Sequence, residues 1–182
     1  MSAVSAGSEV TTVSAHAALR PDEIAARLLY QEALYLDTQA WDEWLALCTE
    51  DIEYWVPAWK SEDQLVSNVR REVSMIYHTR RQELADRVLR VRSRKSVTAM
   101  PLPRTAHSIT NVLAQEGDGP GRIIGTATWT VHEHDPRLRR SYTHFGRYEF
   151  ALREEDGSWK ICRKKIILLN DLVPTVIDFY NL

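Results

Sequence analysis

The spacing of apolar residues changes along the chain, from a helical period in the first half to alternation in the second. Over residues 21–36, apolar side chains recur every three or four positions, which predicts an amphipathic α-helix. Pro21 suits the first turn of this helix, and residues 37–38 interrupt the pattern. Trp41, Trp44 and Cys48 continue at helical spacing, so we predict a second, short helix that reaches Cys48 and whose tryptophans pack in the core.

Shorter elements follow before residue 104. Residues 52–56 predict a short strand that Pro57 stops, residues 60–71 predict a polar loop, and residues 73–77 predict another short strand. An arginine-rich helix is predicted over residues 82–92. Three of its apolar residues recur at i, i+4 and i+7: Leu84, Val88 and Val91. These apolar side chains should therefore face inward and the arginines outward.

The second half alternates apolar and polar residues, as the strands of a half-buried sheet do. Glycine-rich and Asp-Gly turns delimit four predicted strands: residues 107–115, 123–133, 141–154 and 159–169. Helices followed by an antiparallel meander indicate an α+β fold, and residues 20–182 are long enough for one domain. We expect a strongly curved, mostly antiparallel sheet that the N-terminal helices cover, shaped as a cone with a pocket at its mouth. Residues 1–19 lack periodicity and should form a flexible tail.

Composition is that of a globular protein and disfavours several partners. The 182 residues are 44% hydrophobic and 26% charged, and the net charge of −2 argues against nucleic acid or an anionic membrane as the partner. The chain shows neither a secretion signal nor an apolar run long enough to span a membrane. We therefore expect a cytoplasmic protein.

Charge is unevenly distributed along the first half. Residues 21–63 hold eleven acidic residues against Arg27 and Lys60, whereas residues 68–104 hold ten basic residues against three acidic ones. Two interpretations stay open: two solvated faces of opposite sign, or complementary surfaces that meet in an oligomer or on a partner subunit.

Metal chemistry has one weak candidate. Cys48 and Cys162 are too few and too far apart for a disulfide framework or a zinc or iron–sulfur cage. A two-histidine, one-carboxylate iron site can be drawn from a set of residues near one strand end. However, Glu133 should point to the opposite face from its histidine neighbours, which favours a polar strand end. The set comprises His132, His134, Glu133, Asp135 and His144.

Acid–base chemistry in a cone-shaped pocket is the second alternative. His107 or His78 could serve as a general base, as could Asp51 alongside Tyr30 or Tyr54. No local pattern singles out a pair, and structural roles for these side chains are the competing interpretation. Phosphate-binding loops, nucleophile elbows and Cys–His pairs are absent from the sequence.

Three further features concern packing and contacts. Trp55 and Trp59 bracket Pro57 and could line the pocket mouth or a subunit contact. Lys164 and Lys165 are adjacent on the last predicted strand, so one side chain should point to each face. We expect one of these lysines to be partly buried and paired.

A series of motifs resembles one protein family. They run in order from the helix pair YQEALYLDTQAWDEWLAL and the strand DIEYWVP through RREVSMIYHTR and LADRVLRVRS to PLPRTAHSITNV and WKICRKKIILLND. From Ile24 onward the chain resembles the small (beta) subunit of aromatic-ring-hydroxylating dioxygenases, especially the benzoate, anthranilate and 2-halobenzoate type.

This resemblance implies a cone-like α+β fold similar to nuclear transport factor 2 and scytalone dehydratase. It implies a mainly structural subunit, without cofactor or metal of its own, in an assembly of three beta and three alpha subunits. The alpha subunit would carry a Rieske [2Fe–2S] cluster and mononuclear Fe(II), and a separate reductase would supply electrons from NADH. The alternatives are a free-standing dehydratase or isomerase of the same fold, or a small-molecule binding protein.

The interface residues follow from this assignment. We expect arginines of the basic segment, residues 68–104, to form ion pairs with carboxylates of other subunits, and tryptophans to anchor the contact. The candidate subunit interface comprises Arg87, Arg90, Arg104, Trp55 and Trp59.

Overall fold

A computed structural model describes residues 19–93, 100–170 and 172–182. The predicted tail, apart from Leu19, lies outside these residues. The elements, in chain order, are α1 (Pro21–Asp37), α2 (Trp41–Ala46), β1 (Cys48–Pro57), β2 (Ser74–His78), α3 (Arg81–Arg92), β3 (Arg104–Glu116), β4 (Arg122–Asp135), β5 (Arg140–Glu155), β6 (Ser158–Leu168) and a 3₁₀ turn (Phe179–Asn181).

The six strands form one sheet in the order β2-β1-β6-β5-β4-β3. Among the strands of the described residues, β1 and β6 run parallel and the other neighbouring pairs are antiparallel. The predicted α+β class and the mostly antiparallel sheet are therefore confirmed. The β3–β4 and β5–β6 hairpin turns lie at one end of the sheet and the β4–β5 turn lies at the other, because each hairpin reverses the chain.

The helices cover the inner face of the sheet, and the apolar spacing of α1 largely corresponds to its buried stripe. The buried residues of α1 are Ala25, Leu29, Glu32, Ala33 and Leu36. Ile24 and Leu28 continue the apolar spacing but are only half-buried. A carboxylate, Glu32, occupies the middle of the buried face, where an apolar pattern cannot reveal it.

The second helix is shorter and the first strand longer than predicted. Cys48 continues the helical spacing of Trp41 and Trp44, yet it begins β1 and pairs with Ile161 of β6. Pairing with a strand more than a hundred residues later therefore overrides the local helical period. The inward faces of α3, β4 and β5 agree with their predicted patterns.

The last residues of the chain enter the interior of the cone, which the sequence pattern did not predict. Phe179 stacks on Trp44 with ring centroids 4.7 Å apart and meets the edge of Trp41 at 5.2 Å. Phe179 and Leu182 are fully buried in the same core as α1 and the sheet. Packing of both tryptophans in the core is thereby confirmed, and residues 178–182 occupy the space that an open pocket would need.

Candidate functional site

An ion pair lies at the centre of the cone. The Lys164 ammonium on β6 contacts the Glu32 carboxylate of α1 at 2.6 Å, and both side chains are almost completely buried. Lys164 also sits 4.0 Å from the centre of the Tyr148 ring, and the Trp44 indole donates to Glu32 at 3.4 Å. The expectation that one of the two adjacent lysines is buried and paired is met by Lys164. Lys165 points to the outer face and pairs with Glu149 at 3.0 Å.

Two buried tyrosines adjoin this pair. Burial raises the pKa of Tyr54 and Tyr148 well above the ordinary value, and the negative charge of Glu32 adds to the effect. Both phenols therefore stay neutral across the physiological range. Burial likewise raises the pKa of the Cys48 thiol, which excludes a reactive thiolate at this position.

A second charged group fixes residues 178–182 in the interior. The Asp178 carboxylate accepts from Arg87 at 2.7 Å and from Arg90 at 2.9 Å, both on α3. It also accepts the backbone N–H of Phe179 at 2.8 Å and so caps the 3₁₀ turn. Two of the arginines expected to face another subunit thus have a partner in their own chain. Whether they also contact a second subunit stays a prediction.

A third polar group connects β4, β5 and the last segment. The Glu133 carboxylate lies 3.1 Å from His144 Nε2 and accepts from the Asn181 amide at 2.8 Å. Thr175 Oγ1 lies 3.2 Å from the same histidine nitrogen. A cavity of about 160 Å³ beside Glu133 and Thr175 is smaller than the roughly 300–1,000 Å³ typical of small-molecule sites. The arrangement therefore resembles a structural network more than a ligand pocket.

The structure also forms a carboxylate–histidine pair that the sequence did not single out. Asp37, at the end of α1, lies 2.6 Å from His107 Nδ1 and accepts the His107 backbone N–H and the Thr105 hydroxyl, each at 2.9 Å. Such a pair can orient a general base. However, the His107 side chain is 1% exposed and its Nε2 has no hydrogen-bond partner among the described residues. In this conformation the pair joins α1 to β3, and its histidine is closed to solvent whereas Asp37 is partly exposed.

The other candidate acid–base residues do not come together. Asp51 faces outward and binds Arg153 at 3.0 Å, and hydrogen bonds from that guanidinium lower the pKa of Asp51 to about 2. Tyr30 is exposed on α1, whereas Tyr54 is buried in the interior. Burial lowers the pKa of His78, whose Nδ1 lies 3.6 Å from a Glu83 oxygen. The pairing of Asp51 with a tyrosine or a histidine is therefore wrong.

Two histidines of the candidate iron site, His132 and His134, point away from its carboxylate Glu133. His132 contacts Thr143 and His134 contacts Ser141, each at 3.1 Å, whereas Glu133 points into the cone. Within residues 19–93, 100–170 and 172–182, no three His, Cys, Asp or Glu side chains are grouped as metal ligands would be.

The two thiols do not fit an iron–sulfur cluster either. Cys48 donates to the Trp44 carbonyl at 3.9 Å, and Cys162 donates to the Ala151 carbonyl at 3.3 Å. Each thiol is therefore directed to a separate backbone group, whereas a Rieske centre needs two cysteines and two histidines around one cluster.

The predicted interface tryptophans differ in exposure. Trp55 is buried and donates to Ser74 Oγ at 2.9 Å, while Trp59 is 39% exposed and donates to the Leu168 carbonyl at 2.7 Å. Arg104 is exposed at the start of β3. A role in subunit contacts stays a prediction for all three.

Sequence reasoning missed the three carboxylates that organise the interior: Glu32, Asp178 and Asp37. The one available signal was the position of Glu32 beside apolar neighbours in an amphipathic helix. Asp178 and Asp37 carried no signal, because their partners lie 88, 91 and 70 residues away in sequence.

Comparison with known proteins identifies the family of this chain. A family model described as ring hydroxylating beta subunit matches residues 31–175. The chain belongs to this family. It is 36% identical over 160 residues to the benzoate 1,2-dioxygenase subunit beta of Acinetobacter baylyi, covering 88% of this chain and 93% of the relative.

Solved structures agree with the family. The beta subunit of benzoate 1,2-dioxygenase from Burkholderia mallei has a TM-score of 0.71 and 30% identity, covering 87% of this chain and 95% of that one. A putative scytalone dehydratase from Novosphingobium aromaticivorans has a TM-score of 0.61 at 15% identity, covering 86% of this chain and 91% of that one. This second likeness concerns the fold alone and confirms the cone-like architecture.

The chain is thus the beta subunit of a multicomponent aromatic-ring-hydroxylating dioxygenase, an oxidoreductase whose alpha subunit is its partner. No helix in the described residues is both long and apolar enough to cross a bilayer.

Proposed function

We propose that this beta subunit organises the assembly of the catalytic alpha subunits and takes no direct part in the chemistry. One observation carries this proposal: the interior of the cone is filled. Phe179 stacks on Trp44, the Lys164–Glu32 pair lies at the centre, and Asp178 is bound by α3. These side chains occupy the interior that a substrate would otherwise enter, so the fold serves to present surfaces.

The assembly we propose holds three alpha and three beta subunits. Its alpha subunits would carry a Rieske [2Fe–2S] cluster and mononuclear Fe(II), and a separate reductase would pass electrons from NADH. The reaction would be the cis-dihydroxylation of benzoate or a similar aromatic carboxylate. Support for this substrate class comes from two relatives whose names specify benzoate. A cytoplasmic location belongs to the same proposal.

Residues of the subunit contacts are also a proposal. Arg104 and Trp59 are exposed and available to a partner, and an exposed tryptophan is a common anchor in interfaces. Arg87, Arg90 and Trp55 would contribute mainly by holding the surfaces in place, since each has a partner within the chain.

Co-expression with the alpha subunit of the same host tests the proposal. We expect a tag on this chain to retrieve a complex with equal numbers of alpha and beta subunits, measured by native mass spectrometry. Iron and acid-labile sulfide should follow the alpha subunit when the two are separated. Benzoate turnover by the chain alone, or iron bound to it, would contradict a purely structural role.

A free-standing enzyme is the second candidate, and the Asp37–His107 pair is the observation that favours it. If this pair acted as a general base, the purified chain would have dehydratase or isomerase turnover that His107→Ala abolishes. Because His107 is closed to solvent, we expect no such turnover. A His107→Asn variant, which keeps a hydrogen-bond donor toward Asp37, separates loss of activity from loss of folding.

A further inference from the structure

The two ends of the sheet carry surfaces of opposite charge. At one end, the turn between β4 and β5 presents Leu138, which is 55% exposed, among exposed arginines. Within the described residues, no carboxylate forms an ion pair with Arg104, Arg139 or Arg140. We call this surface the basic tip. It combines an apolar side chain with a surrounding positive charge.

At the other end, a groove of about 630 Å³ lies between the start of α1 and the β3–β4 and β5–β6 turns. Carboxylates of Glu116 and Glu154 stand at its rim, together with Arg122, and Asp118 in the adjoining turn is exposed. Neither rim glutamate forms an ion pair in the part of the chain that the structure describes. The groove itself is lined largely by apolar side chains: Leu19, Pro21, Ile24, Pro120 and Trp159. We call this surface the acidic groove.

One chain cannot join its own two surfaces. They lie at opposite ends of β4, and a 14-residue strand extends over roughly 40 Å. A partner that carries the matching surface is a second copy of the same chain. We propose that the basic tip of one beta subunit docks into the acidic groove of the next, with Leu138 against the apolar lining and the arginines against Glu116 and Glu154.

This contact deepens the proposed function and rests on it, because it supplies the arrangement of the three beta subunits. Each copy would use two different surfaces, so the contact is heterologous, and such contacts form a ring when the rotation between copies closes. An apolar centre with a charged rim matches the usual anatomy of an interface. Arg104, already a candidate interface residue, belongs to the basic tip because it lies opposite His134 in the β3–β4 register.

Charge reversal and its compensation test the contact in the co-expressed alpha–beta complex. We expect R139E/R140E and E116K/E154K each to reduce the fraction of complexes with three beta copies at least about tenfold, because like charges would face each other. The fourfold combination in one chain restores complementarity and should recover the native fraction to within about twofold. Native mass spectrometry counts the copies, and circular dichroism confirms that each variant is folded.

R70E/R71E is the matched control for R139E/R140E, since it makes the same change in charge on exposed residues outside both surfaces. We expect it to assemble like the native chain. The inference is overturned if either reversed pair assembles at the native level, or if the folded fourfold variant fails to recover. Failure of the proposed function would give a different result from failure of this contact, because the unmodified chain would then not bind the alpha subunit at all.

Discussion

The arginines of α3 and those of the basic tip have different surroundings. Arg87 and Arg90 bind Asp178, a buried carboxylate of their own chain. Arg104 and Arg140 are exposed and form no ion pair within the described residues. The first group stabilises the interior of the subunit, whereas the second remains available to another molecule.

This difference shows that an arginine-rich segment does not by itself identify an interface. A charged group that is buried inside the subunit needs a partner in the same chain, because an unpaired buried charge lowers the free energy of unfolding. A charge left at the end of a sheet costs little in water and can attract a second subunit. Removing charge partners from the interior should therefore lower stability, whereas removing arginines from the basic tip should not.

The largest effect is expected in the central ion pair. Glu32→Ala leaves the Lys164 ammonium buried without its partner, which should lower the free energy of unfolding by about 3–5 kcal/mol. Urea denaturation followed by tryptophan fluorescence measures the loss. As a control, the combined change E32L/K164M removes both charges and should be much less harmful. A combined variant as unstable as Glu32→Ala would mean that packing, and not charge, dominates at this position.

The next largest effect concerns Asp178. Its replacement by alanine removes the shared partner of Arg87 and Arg90 and should cost about 2–3 kcal/mol, measured in the same way. Arg87→Ala should be more harmful than Arg90→Ala, because the side chain of Arg87 is 20% exposed and that of Arg90 is 58% exposed. Asp118→Ala, an exposed change, is the control. Equal costs for the two arginines would contradict the importance of burial.

A moderate effect depends on pH at the junction of α1 and β3. Burial alone would raise the pKa of Asp37, but hydrogen bonds from His107 outweigh it and hold that pKa below 3.8. A carboxyl whose pKa is lowered by folding stabilises the fold above its unfolded pKa, and this stability is lost as the pH falls through the folded value. Asp37→Asn should therefore cost about 1–2 kcal/mol at pH 7.

The pH profile distinguishes this effect from a loss of packing. The stability difference between the native chain and Asp37→Asn should be constant near neutral pH. It should begin to shrink at about pH 4, where the unfolded carboxyl becomes protonated, and should be lost as the pH falls through the lower pKa of the folded carboxyl. Urea midpoints at a series of pH values measure it. A difference that persists unchanged at the lowest pH would show that the charge of Asp37 is unimportant.

The smallest effect on stability is expected at the basic tip. R104A/R140A should leave the urea midpoint unchanged, since both side chains are exposed and lack carboxylate partners in the described residues. The same variant should weaken the assembly of three beta copies, as native mass spectrometry would show. A clear loss of stability without a loss of assembly would reverse the comparison between the two groups of arginines.

Several elements could be predicted because their causes are local. Alternation along β4 and β5 follows from the two-residue period of a strand, and Leu84, Val88 and Val91 face inward because a helix repeats every 3.6 residues. The spacing of Cys48 predicts a helix, but the residue belongs to β1 because it pairs with Ile161, and no local pattern contains that pairing. The occupation of the interior by Phe179 was likewise beyond local pattern.

Sequence alone is enough to predict the α+β class, most strands and helices, the burial of one of two adjacent lysines, and the resemblance to dioxygenase beta subunits. These features depend on residue periods and on the order of motifs along the chain. The carboxylate that each charged side chain contacts follows from the three-dimensional fold. Asp178 closes the interior, Asp37 binds His107, and the two ends of the sheet keep opposite charges, because ion pairs depend on distances in space between residues far apart in sequence.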